Sequence, residues 1–402
     1  MRLLNTRTVQ LEEFYGKPPK YAISHRWETD EASYKDFELG RERTLQGYYK
    51  ISACCRLAYS RRLEYAWVDT CCIDKRSSAE LTESINSMYQ WYQEAEECCA
   101  FLNDVHVEDL DSQQNQITFG KSAWFTRGWT LQELIAPSRV LFYNSRWVYL
   151  GSKEYQCKLL KKVTGIGIAV LQKKITPSEC TISQRMAWAA YRTTSRLEAR
   201  AYSLLGIFGV NMPMLYGEGD KAFRRLQGEI IKQSDDHTIL AWRDQQSAKS
   251  VLAPSPSCSR GLDDMERIIP TNDTTQGYTF VDAGLSIQLV LVPWSMNTYI
   301  ASLHCGYPKL QDCRRASFRG YERACIFLQQ TEHEHQFTRV SIDGEDLKII
   351  DGDIFARMRD KFEVQARHVL VRQSNDLNPI SALPTAQLKL RSVAKLRSRS
   401  FV

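Results

Sequence analysis

The hydrophobic pattern of the first 150 residues switches repeatedly between two periods, and that switching limits the folds open to the chain. Tyr21-Ala22-Ile23-Ser24 is a short apolar run of strand type. Between Thr44 and Arg61, Tyr48, Ile51, Cys55 and Ala58 recur at helical spacing. Tyr65-Ala66-Trp67-Val68-Asp69 is a second strand. Ser77 and Glu80 then form a capping-box pattern ahead of a helix with Leu81, Ile85, Met88 and Tyr92 on one face. Cys98 to Leu102 is a third strand and Arg139 to Tyr143 a fourth. Between them lie a long polar loop, Asp104 to Gly120, and a helix from about Trp129 to Ile135 that Pro137 stops. Strands alternating with helices predict an α/β fold, a parallel sheet covered on both faces. In such sheets ligands bind beyond the carboxyl ends of the strands, which here are Ser24–Trp27, Asp69–Asp74 and Asn103-Asp104. Neither G-x-G-x-x-G nor G-x-x-x-x-G-K-[ST] occurs, which argues against a Rossmann dinucleotide site or a P-loop.

At 402 residues the chain exceeds one ordinary core. The expected units are an α/β core over 1–150, a helical extension over 151–237, a β-rich accessory domain over 238–375 and a basic, disordered tail over 376–402. The extension is expected from about Thr181 to Gln233, with a break at Asn211-Met212-Pro213. The accessory domain is expected from alternating runs such as Leu285 to Leu291 and Ala324 to Leu328. No run of about 18 apolar residues exists and the N-terminus lacks a signal-type apolar core, so no transmembrane segment and a cytoplasmic protein are expected. The net charge of +6 is mild, and part of it lies in Lys389, Arg391, Lys395, Arg397 and Arg399. That tail reads either as a solvated end or as a contact for nucleic acid or anionic lipid; no specific nucleic-acid partner is expected. Twelve cysteines include the pairs Cys54-Cys55, Cys71-Cys72 and Cys98-Cys99. Neighbouring strand residues point to opposite faces and no C-x-x-C pair occurs, so buried thiols are expected and no metal site.

Several stretches together resemble the heterokaryon-incompatibility (HET) family, fungal proteins that trigger programmed cell death when incompatible cells fuse. They are Met1 to Thr6, Tyr21-Ala22-Ile23-Ser24-His25, Trp67 to Lys75, Trp124 to Ile135, Arg200 to Phe208 and Leu215 to Gly219, collinear over roughly residues 1–240. One departure stands out. The family usually has glycine after Ser-His-x-Trp, and here Glu28 follows Trp27, adding a negative charge that opposes phosphate binding nearby. The family looks like a relative of TIR domains. That resemblance implies a flavodoxin-like, doubly wound sheet, function as a vegetative-incompatibility effector of fungal innate immunity, and NAD⁺ as substrate with no cofactor required. It also implies self-association on activation, which would order the Asp104–Gly120 loop, and an incompatibility partner protein. TIR enzymes place a tryptophan four residues before the catalytic glutamate on the helix after the third strand, and Trp129 and Glu133 match that spacing.

Each candidate also has a structural reading. Glu133 is either the carboxylate opposite an oxocarbenium-like transition state or the partner of Thr130 in a capping box. Asp69 is either a catalytic partner or, like Asp74, a ribose-hydroxyl ligand, and both could instead cap the turn before the Ser77 helix. Trp27 and Trp129 would stack on a base or pack in the core. Arg127 would meet a pyrophosphate or pair with the acidic loop. Ser24 and His25 complete the ligand-facing set. Two readings of other classes stand beside the enzyme: a non-catalytic self-associating module that recruits death partners, and a thiol hydrolase pairing His25 with Cys71 or Cys72.

Overall fold

The computed structural model describes residues 1–16, 18–24, 30–244, 250–268, 277–281, 284–309 and 320–373. The expected basic tail, His25, Trp27 and Glu28 lie outside them. The N-terminal region opens with two strands, β1 (Arg2–Asn5) and β2 (Leu11–Glu13), followed by β3 (Tyr21–Ser24). Then come α1 (Tyr34–Glu38), α2 (Gly47–Ser60), β4 (Tyr65–Val68), the single turn α3 (Asp69–Cys72) and α4 (Ser78–Glu94). After β5 (Glu97–Leu102) follow α5 (Gln113–Gly120), α6 (Thr130–Ile135), β6 (Val140–Asn144) and β7 (Tyr149–Ser152). These strands form one sheet in the order β2-β1-β4-β3-β5-β6-β7. The inner four, β4, β3, β5 and β6, are parallel, and antiparallel strands flank them on both sides. Every residue of β5 and β6 is buried, as strands covered on both faces must be.

Two sequence expectations are corrected. Asp104–Gly120 is not a long loop: Ser112 accepts a hydrogen bond from the Asn115 N–H at 3.0 Å and so caps α5, which fills its second half. Weak apolar periodicity hid this helix, whose only buried residue is Phe119. The Ser77 capping box forms only by half. Ser77 accepts from the Glu80 N–H at 3.3 Å, but the Glu80 carboxylate takes the Asp74 N–H at 2.8 Å and both arms of Arg2, tying β1 to α4.

A helical stretch follows: α7 (Cys157–Thr164), α8 (Ile168–Leu171), α9 (Ile182–Ala189), α10 (Ala199–Tyr202), α11 (Leu205–Phe208) and α12 (Lys221–Ile231). At Gly206 a Cβ would sit 2.1 Å from the Tyr89 Cβ, so only glycine lets α11 close on α4. The C-terminal region is a mostly antiparallel sheet of β8 (Glu266–Arg267), β9 (Thr279–Val281), β10 (Gly284–Ser295), β11 (Thr298–Pro308), β12 (Tyr321–Gln330), β13 (Gln336–Val340) and β14 (Leu347–Asp351). The helix α13 (Gly352–Lys361) and the last strand β15 (Ala366–Arg372) complete it. Leu285, Ile287, Leu289 and Leu291, alternating along β10, join the same contiguous core as Leu3, Trp67 and Leu226. The opposite face packs Phe327 and Ile350 against Phe355 of α13.

His237 joins the helical stretch to this sheet. Its ring stacks on His304 at 4.4 Å and lies within 3.4 Å of the His304 backbone N–H, which donates to Nδ1 of the neutral ring. Burial pushes the imidazole down to about 3. Below the unfolded value of about 6.5 the unfolded chain therefore binds a proton that the folded one refuses, so stability falls as pH falls. The expected loss from this ring is about 2 kcal/mol between pH 6.5 and 5. Urea denaturation at the two pH values measures it, and His237→Gln should flatten the difference by that amount.

Candidate functional site

The helix carrying Glu133 is six residues long, too short to hold its shape alone, and side chains fix it at both ends. At its start Arg192 donates from Nη1 to the Arg127 carbonyl at 2.9 Å and to the Thr130 hydroxyl at 2.8 Å. Thr130 itself donates to the carbonyls of Trp124 and Arg127. No side chain caps the helix N-terminus, so the capping box between Thr130 and Glu133 does not form. At the far end the buried Lys153 ammonium donates to the carbonyls of Leu134 and Pro137, and Lys173 donates to those of Ile135 and Ala136. Cations there suit the negative end of the helix. Burial, with Lys173 nearby, pushes the Lys153 ammonium down to about 7.

Glu133 is 1% exposed, and its charge opposes the burial that pushes Arg192 down to about 10. Asp69 opens α3 at the carboxyl end of β4 and is also buried, with the Lys75 ammonium 3.6 Å away. Burial holds that ammonium below its ordinary value, and Asp69 opposes the shift. Tyr92 of α4 stands in the field of both carboxylates: burial above all, then Glu133, Cys98 and Asp69, drives its phenol well above the usual range. Glu133 and Asp69, 64 residues apart in sequence, thus both act on the Tyr92 phenol from buried positions.

The other candidates are placed differently. Ser24 ends β3, in register with Val68 and Cys99. The Asp74 carboxylate grips Arg76 through Nε at 2.8 Å and Nη2 at 2.9 Å, which holds it below the usual range and locks the turn before α4. Arg127 is half-buried and contributes its carbonyl to Arg192, while Glu108 of the acidic loop pairs with Arg146. Trp129 is half-buried against the core. Asp104 caps the turn at Ser122 and Ala123. A cavity of about 420 Å³ opens instead at the amino ends of the parallel strands, between Lys20, Arg61, Glu97 and Arg139.

Arg192 is the residue that sequence reasoning missed. An arginine closing the apolar run Trp188-Ala189-Ala190-Tyr191 was the available signal.

Of the eleven free cysteines described, ten are buried and Cys180 is half-exposed. Burial drives the Cys71 thiol well above its ordinary value, the reverse of what a nucleophile needs. Alkylation of the native protein is expected to label Cys180 alone among these eleven, with the rest labelled only in denaturant; peptide mass spectrometry reads the pattern, and native labelling of Cys71 or Cys72 would restore the thiol reading. Among the described residues no group of three or more His, Cys, Asp or Glu is placed to hold a metal, and no helix is long and apolar enough to cross a membrane.

A family model described as heterokaryon incompatibility protein (HET) matches residues 21–118, a span containing β3, β4, α4 and β5. Over 224 residues, 54% of this chain, the sequence is 45% identical to the vegetative incompatibility protein HET-E-1 of Podospora anserina. The match spans 16% of that relative's length. No solved structure matches. The N-terminal part of this chain carries a HET domain.

Proposed function

We propose that this protein is a cytoplasmic effector of vegetative incompatibility that triggers programmed cell death by TIR-like cleavage of NAD⁺. The observation that carries the reading is the position of Glu133: buried on α6, between the third and fourth parallel strands and four residues beyond Trp129, with Asp69 also buried and acting on the same Tyr92 phenol. The order of the parallel strands supports it. Numbered along the chain they run second, first, third, fourth, the flavodoxin-like order, in which ligands sit at the carboxyl edge beside the first and third strands. Nicotinamide leaves a cationic ribosyl group as a neutral molecule, so the reaction needs no general acid. It needs a fixed negative charge opposite the developing oxocarbenium, with little solvent to screen it. Glu133 on a helix held at both ends meets that need, and Asp69 would orient ribose hydroxyls. No cofactor is required. Ser24, at the end of β3, and His25 and Trp27, which lie outside the described residues, are the proposed nucleotide ligands beside Trp129 and Arg127.

One observation favours a second reading. Glu133 is 1% exposed, so a substrate must displace something to reach it. A HET domain that self-associates and recruits death partners without chemistry has no such requirement. Induced expression with NAD⁺ measured beside viability separates the two: the first reading requires NAD⁺ to fall before death, and the second requires death at constant NAD⁺.

A further inference from the structure

A second cleft has Arg192 among its lining residues and lies between the segment after α9 and residues 255–260. Its volume is about 260 Å³ and its lining includes Arg192, Arg200, Arg260, Thr193, Ser255 and Ser257, with no carboxylate among the lining residues. Three arginines therefore line a small polar space without an acid in its wall. Arg192 is 8% exposed, and while its Nη1 and Nε serve carbonyls and Thr130, its buried Nη2 meets no hydrogen-bond partner among the described residues. A buried donor left unmet on a cation is costly unless a ligand completes it. Arg260 rests over the Tyr191 ring at 5.2 Å, a contact that positions the guanidinium and leaves most of its donors free. Arg200 has a long contact of 3.7 Å with Asp220, which is 70% exposed, and such a surface pair yields readily to a better anion. The hydroxyls of Ser255 and Ser257 share one hydrogen bond at 2.5 Å, so one hydroxyl hydrogen remains to donate.

We infer that this cleft binds the phosphate groups of a small phosphorylated molecule, a diphosphate fitting three guanidiniums better than a single phosphate. Planar guanidiniums take phosphate oxygens in pairs, and a doubly charged group draws on all three at once. The site stands apart from the reading of Glu133, because it requires binding and no cleavage. It also touches the same helix: Arg192, which lines the cleft, holds the start of α6 through Nη1.

The test is calorimetric titration of the full chain at constant ionic strength with inorganic phosphate, pyrophosphate, ADP and adenosine. Pyrophosphate and ADP are expected to bind saturably and phosphate more weakly, with no binding by adenosine. Arg200→Gln with Arg260→Gln should raise the Kd for pyrophosphate at least about tenfold. These two residues leave the Arg192 hydrogen bonds intact, so the folded state is retained and circular dichroism verifies it. Arg139→Gln, in the cavity at the amino ends of the parallel strands, should change nothing. Equal affinity for pyrophosphate and ADP assigns the site to the phosphates alone, and tighter ADP adds a nucleoside contact. Absence of saturable binding, binding undiminished in the double variant, or an equal loss in Arg139→Gln would each overturn the inference.

Discussion

Glu133→Gln is expected to abolish NAD⁺ loss in cells and to lower turnover by the purified protein about a thousandfold, the scale of removing one preorganised charge from a transition state. Glutamine keeps the volume and much of the hydrogen-bonding capacity, so the deficit isolates the charge. The enclosure of Glu133 makes the expected effect large, since solvent near it screens little. The same enclosure makes a stability control necessary. Glutamine leaves the Arg192 cation without the charge that opposes its burial, so a modest fall in melting temperature should accompany the loss of turnover. Lost activity with circular dichroism intact assigns the chemistry to the carboxylate. Undiminished turnover would end that assignment, while death at constant NAD⁺ in the unaltered protein would move the function to the recruiting module.

A second large effect is expected in stability, at Arg339. This β13 side chain is fully enclosed, 3.6 Å above the Trp242 ring. It donates to the carbonyls of Leu240 at 2.7 Å, Trp242 at 2.8 Å and Asp346 at 3.0 Å. Burial pushes its guanidinium down to about 9, with Asp346 opposing. One side chain thus closes three backbone carbonyls, two of them in the segment that leaves the helical stretch and enters the C-terminal sheet. Arg339→Ala strands all three in the interior and opens a cavity, so the expected cost is about 3–5 kcal/mol and a fall in melting temperature of roughly 10 °C. Arg339→Lys retains a cation but lacks the planar fork, and should fall between. Calorimetry decides, and a shift below about 2 °C for the alanine variant would show that water or neighbouring groups replace these bonds.

The alternation of strand and helix was legible in the first 150 residues because buried parallel strands read as short apolar runs and amphipathic helices repeat at i, i+3, i+4. Tyr21–Ser24, Tyr65–Val68 and the run at Cys98–Leu102 all fall in observed strands. The flanking strands β1, β2 and β7 escaped notice, being three or four residues long and carrying polar residues such as Arg2, Glu12 and Glu13. At the site, the spacing of Trp129 and Glu133 could be read directly, but their surroundings could not. Arg192, Lys153 and Lys173 meet α6 from 19 to 62 residues away, and such contacts leave no local pattern. The Thr130–Glu133 pattern illustrates the limit: its spacing suits a cap, yet the Thr130 hydroxyl is claimed by Arg192 and two carbonyls.

The sheet's outer strands bear on how copies of this domain could meet. The parallel strands offer no open side, since β1 covers β4 and β7 covers β6. The rims that remain are β2, three residues with Glu12 and Glu13, and β7, four residues. Rims this brief give an incoming strand little backbone to pair with, and the carboxylates on β2 repel a second copy of themselves. Growth by adding strand to strand, the route to amyloid-like fibres, is therefore disfavoured at these rims. Clustering of the kind the family resemblance implies is then expected to join helical faces and loops, to yield to single charge reversals on α2 or α4, and to tolerate changes along the rims.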